Sequence, residues 1–517
     1  MPAPTRRQLL AAGLGAAGMT ALAACSAPTS ATGPAPARAP FSPSPPTATA
    51  LSPAPGQRVV TTTVTPAVVT VDLGGVSAKT WAYGGTVPGP LLRATAGDLL
   101  RVRVDNRLPT ETSVHWHGIR LRNVADGVPG ITQPPIAAAS TYLYEFVAPD
   151  PGTYFFHPHT GVQIDRGLYA PLIVDDPGEP GGYDAEWVVI LDDWTDGIGR
   201  SPDDILAEFK AQEGTVGTGM HMPGMNRDQP GMGRMTDGGM PGMGRMTDGG
   251  MMNSPLGDAG DLAYPHYLIN GRVAAAPVVL SGRPGQRVRI RLINAGADTV
   301  FAVALGAHQM TVTHSDGYPV RAVDTPALYV AMGERYDVLV RLSDGAFPLV
   351  ARAVGKTGSA LAVVRTGSGA APTPATPVPE LDGRVLLGTT LRAAEPARLP
   401  EKEPDRSVDV QLNGQMRPYA WGINGKRFGD DTPLAVAGGQ RLRMRMTNMT
   451  MMAHPMHIHG HTWSLPGSDG LRKDTVLVAP MQTIEADLEA DNPGAWAYHC
   501  HNIYHAETGM MTTLRYT

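Results

Sequence analysis

Three stretches of the chain alternate apolar residues with arginine: GDLLRVRVDN at 97–106, GQRVRIRLIN at 285–294 and GQRLRMRMTN at 439–448. A period of two predicts a β-strand with one face on a core and the other in water, because successive side chains point to opposite faces. Each stretch follows a glycine-containing turn at a similar distance, Gly85 by 12 residues and Gly271 and Gly425 by 14. The repetition predicts three homologous all-β domains, spanning 57–180, 181–366 and 385–517, with the Pro- and Gly-rich 367–384 as a linker. A length of 517 residues agrees with three domains of ordinary size.

The remaining composition narrows the picture. Gly and Pro make up about a fifth of the chain and aromatics only 6%, which favours turn-rich β structure. A net charge of −5 shows no basic excess, so neither nucleic acid nor an anionic membrane surface is an expected partner. At the N-terminus, TRRQLL and a short run of small apolar residues read as an export signal rather than a membrane span. The paired Arg6 and Arg7 resemble a twin-arginine signal, and Leu22-Ala23-Ala24-Cys25 resembles a lipobox, where a lipid on Cys25 would be the one membrane attachment. The expected location is therefore the cell envelope or periplasm. Residues 26–56, rich in Pro, Ala, Ser and Thr, are predicted to be a disordered tether. Cys500 is then the single cysteine of the folded part.

Counting forward from the closing Asn of each alternating stretch compares equivalent positions. At +9 and +11 the first domain has His115 and His117, the third has His457 and His459, and the second has Val303 and Leu305. Counting +5 and +7 from the Gly before each late strand gives His157 and His159, then His499 and His501, but Val350 and Arg352 in the second domain. Residues i and i+2 of a strand share a face, so each His-x-His throws two imidazoles in one direction. Eight converging imidazoles suit a cluster of more than one metal ion, and the second domain supplies walls.

In HCH at 499–501 the cysteine must face away from its two histidine neighbours, which predicts a second site. Cys500 can be joined by His454, His505 and Met510, three residues with no counterpart in the first domain. One thiolate, two imidazoles and a weak thioether are the donor set of a blue-copper electron-transfer site; zinc would draw little from the thioether. Because Cys500 is covalently joined to His499 and His501, electrons accepted at the sulfur have a short path to the cluster.

HWHG at 115, HPH at 157, HPMHIHG at 454 and HCHNIYHAETGM at 499 resemble, in order, the four copper motifs of the multicopper oxidases. The likeness covers most of 57–517 and implies three cupredoxin-like Greek-key β-sandwich domains. It also implies four copper ions that take electrons from a substrate and pass them to O2. By motif position, His454, Cys500, His505 and axial Met510 look like type 1 ligands, and His115 and His457 like type 2 ligands. His117, His157, His159, His459, His499 and His501 look like type 3 ligands. Asp126 is similar to the family's acidic position after HWHG and is the expected proton relay. The bacterial copper-efflux members usually place an acid directly after the last histidine, where this chain has Ala506 and then Glu507, which either substitutes or faces solvent. His221, His266, His308, His314 and His461 have no motif role.

Residues 219–252 hold ten of the 24 methionines, including GMGRMTDGGM twice. Thioethers suit Cu(I), so this run either collects cuprous ions or serves as an adaptable Gly/Met linker. Met449, Met451 and Met452 precede His454, and Thr450 stands where the copper-efflux members often have an acid. The leading expectation is an oxidase of Cu(I) in copper tolerance. A laccase-like oxidase of phenols or aromatic amines is the alternative, and a copper-sequestering protein is the alternative from another class.

Overall fold

The computed structural model describes residues 50–179, 181–212, 214–216, 256–400 and 402–517. Arg6, Arg7, Cys25, most of the expected tether and the methionine-rich 219–252 with His221 lie outside the described residues. The protein is strand-rich, and all three alternating stretches become strands with the same neighbours. Leu99–Asp105, Arg287–Asn294 and Arg441–Asn448 each sit between a parallel and an antiparallel partner. The parallel partners are Val59–Val64, Ala185–Trp194 and Arg406–Met416; the antiparallel ones are Thr141–Val147, Arg335–Arg341 and Thr483–Glu489.

The opposing sheets repeat as faithfully. In each, a short edge strand pairs in parallel with the strand that follows the late strand, and that one continues antiparallel to the late strand itself and then to the strand at the +9 position. In the first domain the order is Leu92–Thr95, Ala170–Asp175, Gly152–His157, His115–His117. In the third it is Leu434–Val436, Met511–Tyr516, Ala495–Cys500, His454–Ile458, extended by Thr475–Val478. Facing side chains of the two sheets interlock around Trp116, Trp463 and Trp496, all fully buried.

Four expectations are corrected. The second domain's alternating strand has no wet face: Arg289 and Arg291 are 3% and 2% exposed. They share Asp337 with Thr153 of the first domain, so domain docking covers what would be a solvent face. Val303 pairs with Ala351 rather than Val350, because this strand carries one more residue after Gly345 than its counterparts do after Gly152 and Gly494. Residues 367–384 are no free linker, since Val378 and Leu381 bury themselves against Ala302, Ala304 and Ala327. Val385–Leu386 then joins the second domain's sheet beside Ala327–Val330, and the first strand of the third sandwich is Arg406–Met416. Finally, the chain is held before 57, where Leu51 exchanges hydrogen bonds with Glu145 and Arg101.

Helices are few. Pro202–Ala211 begins at Ser201, whose hydroxyl accepts from the Asp204 amide, with proline in the first turn and Asp203 and Asp204 at the positive end of the helix dipole. The short Ile503–Glu507 helix is capped by Asn502, which accepts from the Tyr504 and His505 amides.

Candidate metal centre

Strand register brings the histidines together. His115 lies opposite His157 in the first sandwich, and His457 lies opposite His499 in the third. The two sandwiches dock along these strands through the Asn123 amide on the Ala495 carbonyl (2.7 Å), Asn492 on the Leu121 carbonyl (2.9 Å) and an Arg120–Asp491 ion pair. The rings then meet across the seam. His115 stacks on His459 at 3.7 Å between centroids and His117 on His457 at 3.8 Å, while His159 and His499 are 4.8 Å apart, as are His117 and His501. Seven of the eight rings are buried, and His159 is half-buried.

An accounting of ring nitrogens shows which way they face. Backbone carbonyls take the Nδ1 of His115 (Asp126), His157 (Pro158), His457 (Asp474) and His499 (Cys500), each at 2.9 Å. Left buried without a partner are Nε2 of His115, His157 and His457, Nδ1 of His117 and both nitrogens of His501. Nε2 of His499 lies 3.0 Å from Nε2 of His459 and 3.3 Å from that of His159. Orphaned buried nitrogens are costly and need a ligand to satisfy them. Burial, followed by the repulsion of neighbouring imidazoles, pushes His157, His159, His459 and His501 well below the usual histidine range and His499 to about 3. Neutral imidazole is the form that binds a metal.

On the other face of the HCH strand, Cys500 Sγ lies 3.7 Å from Nδ1 of both His454 and His505, and those two nitrogens are 3.2 Å apart. All three side chains are fully buried. The Asn502 cap turns the chain so that His505 folds back onto Cys500. Met510, also fully buried, is tied to both: its carbonyl accepts from the Cys500 amide and its amide donates to the His505 carbonyl. Trp421 stacks on His505 at 3.9 Å.

Three family models described as multicopper oxidase match residues 64–179, 236–369 and 401–517. The multicopper oxidase MmcO of Mycobacterium tuberculosis is 48% identical, covering 99% of this chain and 96% of its own. The chain belongs to the multicopper oxidases. The copper resistance protein A homolog of Pseudomonas syringae pv. tomato is 30% identical over 86% of this chain and 90% of that protein. The crystal structure of Fet3p, described as a multicopper oxidase that functions in iron import, shares the fold, with a TM-score of 0.72 and 21% identity over 89% of this chain and 90% of that one.

Multicopper oxidases are oxidoreductases that use O2 and carry type 1, type 2 and type 3 copper, four ions in all. The residues fit that complement. The buried sulfur and imidazole donors form one compact set, and inward-facing orphan nitrogens form the other.

Around this multicopper oxidase site the carboxylates take distinct places. Asp126, 1% exposed, sets its carboxylate 3.0 and 3.1 Å from His459 Nδ1 and 3.2 Å from His115 Nδ1. Glu507 is half-buried and lines a cleft of 560 Å³ shared with His159, Thr160 and Lys210. Burial raises its pKa, partly offset by Lys210. His266, His308, His314 and His461 lie elsewhere: His308 bonds the Gly306 carbonyl and His461 the Tyr516 hydroxyl.

Sequence reasoning missed several partners. Thr450 hydrogen-bonds Nε2 of His454 at 2.8 Å, while a carboxylate reaches the other imidazole from a different domain: Asp261 Oδ2 is 3.0 Å from His505 Nε2. Burial disfavours a charged His505, but Asp261 and Cys500 outweigh it and push His505 up to about 10. Asp474, Thr475 and Arg335 flank His117 and His457. The charged pair Lys473-Asp474 at the head of the fully buried Thr475–Val478 strand was the one signal in the sequence.

Proposed function

We propose that His454, Cys500, His505 and Met510 hold the type 1 copper, that His115 and His457 hold the type 2 copper, and that His117, His157, His159, His459, His499 and His501 hold the type 3 pair. Bound copper supplies one-electron oxidation of a reductant at the sulfur-ligated site and four-electron reduction of O2 to water at the cluster. The chain's own part begins at Cys500, whose backbone neighbours reach the cluster directly. Asp126 supplies a carboxylate beside two cluster histidines, and Glu507 can pass a proton from the cleft it shares with His159.

The reductant we infer is Cu(I), oxidised to Cu(II) in copper tolerance. The carrying observation is the surface over the type 1 ligands. His454 and His505 are fully buried, offering no ring edge to a bulky phenol, whereas Met451 is 47% exposed and its neighbour Met452 is buried. Both flanks of the methionine-rich run are seated here. Gly214 bonds Tyr419 and Arg427, and on its return the chain bridges Gly257 and Asp258 to Met452, with the Asp258 amide on the Met451 carbonyl at 2.8 Å. Soft thioethers at the rim suit a soft cuprous ion. The Arg6-Arg7 signal and the lipobox at Cys25 support export to the cell envelope with a lipid anchor; no helix among the described residues is long and apolar enough to cross a membrane.

The test is a pair of steady-state rates on copper-loaded protein, with Cu(I) and with a phenol such as 2,6-dimethoxyphenol. Cuprous oxidation is expected to be the faster by a wide margin. A higher kcat/KM for the phenol would replace the cuprous reading with the laccase-like one, and no turnover with either would leave copper sequestration.

A further inference from the structure

The second sandwich carries none of the proposed ligands, yet it touches the cluster. Its Ala331–Gly333 turn approaches so closely that a Cβ on Gly333, whose φ is +84°, would stand 2.9 Å from ring atoms of both His117 and His501. The next residue but one, Arg335, has no solvent exposure and reaches all three sandwiches. Its Nε donates to the Thr153 carbonyl of the first domain (3.1 Å), its Nη1 to Gly333 of its own (2.9 Å), and both Nη atoms grip the Asp474 carboxylate of the third at 2.7 and 2.6 Å. The glycine of HWHG makes room for this fork, since a Cβ on Gly118 would collide with the guanidinium.

What the fork holds stands against two ligands. Asp474 Oδ1 lies 3.3 Å from His117 Nε2 and 3.4 Å from His457 Nδ1, and it accepts from the Thr475 hydroxyl at 2.9 Å. Thr475 Oγ1 is in turn 3.2 Å from each of those same nitrogens. For both rings the nitrogen left over, Nδ1 of His117 and Nε2 of His457, is the buried unpartnered one. The Asp474–Thr475 pair thus sets which nitrogen of His117 faces inward, and on His457 it reinforces the 2.9 Å contact of Nδ1 with the Asp474 backbone carbonyl, as outer hydrogen bonds do for metal-ligating histidines. A bidentate arginine is the side chain that fixes a carboxylate in plane as well as in charge.

We propose that Arg335 is a positioning residue for the cluster: the copper-free second sandwich aims His117 and His457 through Asp474, coupling the docking of three domains to the geometry of the type 2 side. This rests on the ligand assignment for His117 and His457 given above.

The test uses copper-loaded Arg335→Met, Arg335→Lys, Asp474→Asn and the Arg335→Met/Asp474→Asn double variant. Expected for Arg335→Met and for Asp474→Asn is an intact blue absorption from the type 1 site, an altered type 2 electron paramagnetic resonance signal, and kcat lower by about tenfold or more with the reductant KM unchanged. Arg335→Lys, which keeps the charge without the fork, should recover part of kcat, and the double variant should be no worse than either single one. Should the methionine variant fail to fold, Arg335→Lys decides by the same type 2 signature. A wild-type type 2 signal and kcat in the Arg335 variants would overturn the proposal. So would blue and type 2 signals falling together, or losses that multiply in the double variant. Were the ligand assignment itself wrong, the wild-type protein would lack a type 2 signal, which separates the two failures.

Discussion

Asp261, on the second sandwich, places Oδ2 3.0 Å from Nε2 of His505 on the third. Neither side chain reaches solvent, and the Tyr419 hydroxyl also donates to this carboxylate. A negative charge against the outer nitrogen of a proposed type 1 ligand stabilises the more positive, oxidised state of the site. Asp261→Asn is therefore expected to raise the type 1 midpoint potential while the blue band persists. Redox titration followed at that band checks it; an unchanged potential would show the carboxylate to be a packing group only.

Cys500→Ser removes the sulfur that both Nδ1 atoms of His454 and His505 face at 3.7 Å. Loss of the intense blue absorption and of turnover with every reductant is expected. Turnover retained with either Cu(I) or a phenol would contradict the assignment of the electron-accepting site.

The legible parts of this protein were those written in local spacing. Period-two alternation marked the three central strands, and equal offsets marked His115, His117, His457 and His459, because strand pairing turns equal spacing into equal position. The Pro202–Ala211 helix had a capping signature in Ser201-Pro202-Asp203-Asp204 that the β-rich composition overshadowed. Asp261 and Arg335 were beyond such reasoning, since each acts on a residue of another domain and only docking brings them together. The same docking buries Arg289 and Arg291, so an arginine stripe that reads as solvated becomes an interface.

Residues 219–252 lie outside the described residues, but their flanks rest beside Tyr419 and Met452. Deleting 219–252 is expected to lower cuprous oxidation and to spare, or raise through better access, oxidation of a bulky phenol. Equal loss of both activities, or unchanged cuprous oxidation, would remove the collecting role of the thioethers. Rates with both reductants on the same copper-loaded preparation decide between these.

Asp337 joins the first two sandwiches by accepting from Thr153 at 2.6 Å and from both Arg289 and Arg291. Burial alone would raise its pKa, but the two guanidiniums hold it well below the usual carboxylate range. A depressed folded pKa contributes stability that is present above the unfolded value of about 3.9 and is lost as pH falls below it toward the folded value. Asp337→Asn, which takes one carboxylate from two buried arginines that keep Glu179 and Glu186, is expected to cost about 1–3 kcal/mol at neutral pH. The deficit should shrink in urea titrations carried out at progressively lower pH under about 4, as the wild-type carboxylate takes up its proton.

Glu507 shares the 560 Å³ cleft with His159, the least buried of the eight paired histidines, which makes that cleft the solvent approach to the proposed oxygen-reducing cluster. Burial raises the Glu507 pKa, so the residue keeps a deliverable proton to higher pH than an ordinary glutamate does. If the protonated form feeds the reaction, kcat falls as pH rises through that elevated pKa. Glu507→Gln, which accepts and donates hydrogen bonds but cannot relay a proton, should lower kcat by roughly a hundredfold or more and abolish that limb of the profile. The reductant KM and the blue absorption should stay as they are. A pH profile of the same shape in wild type and variant would assign the relay to Asp126 alone, whose carboxylate already touches His115 and His459.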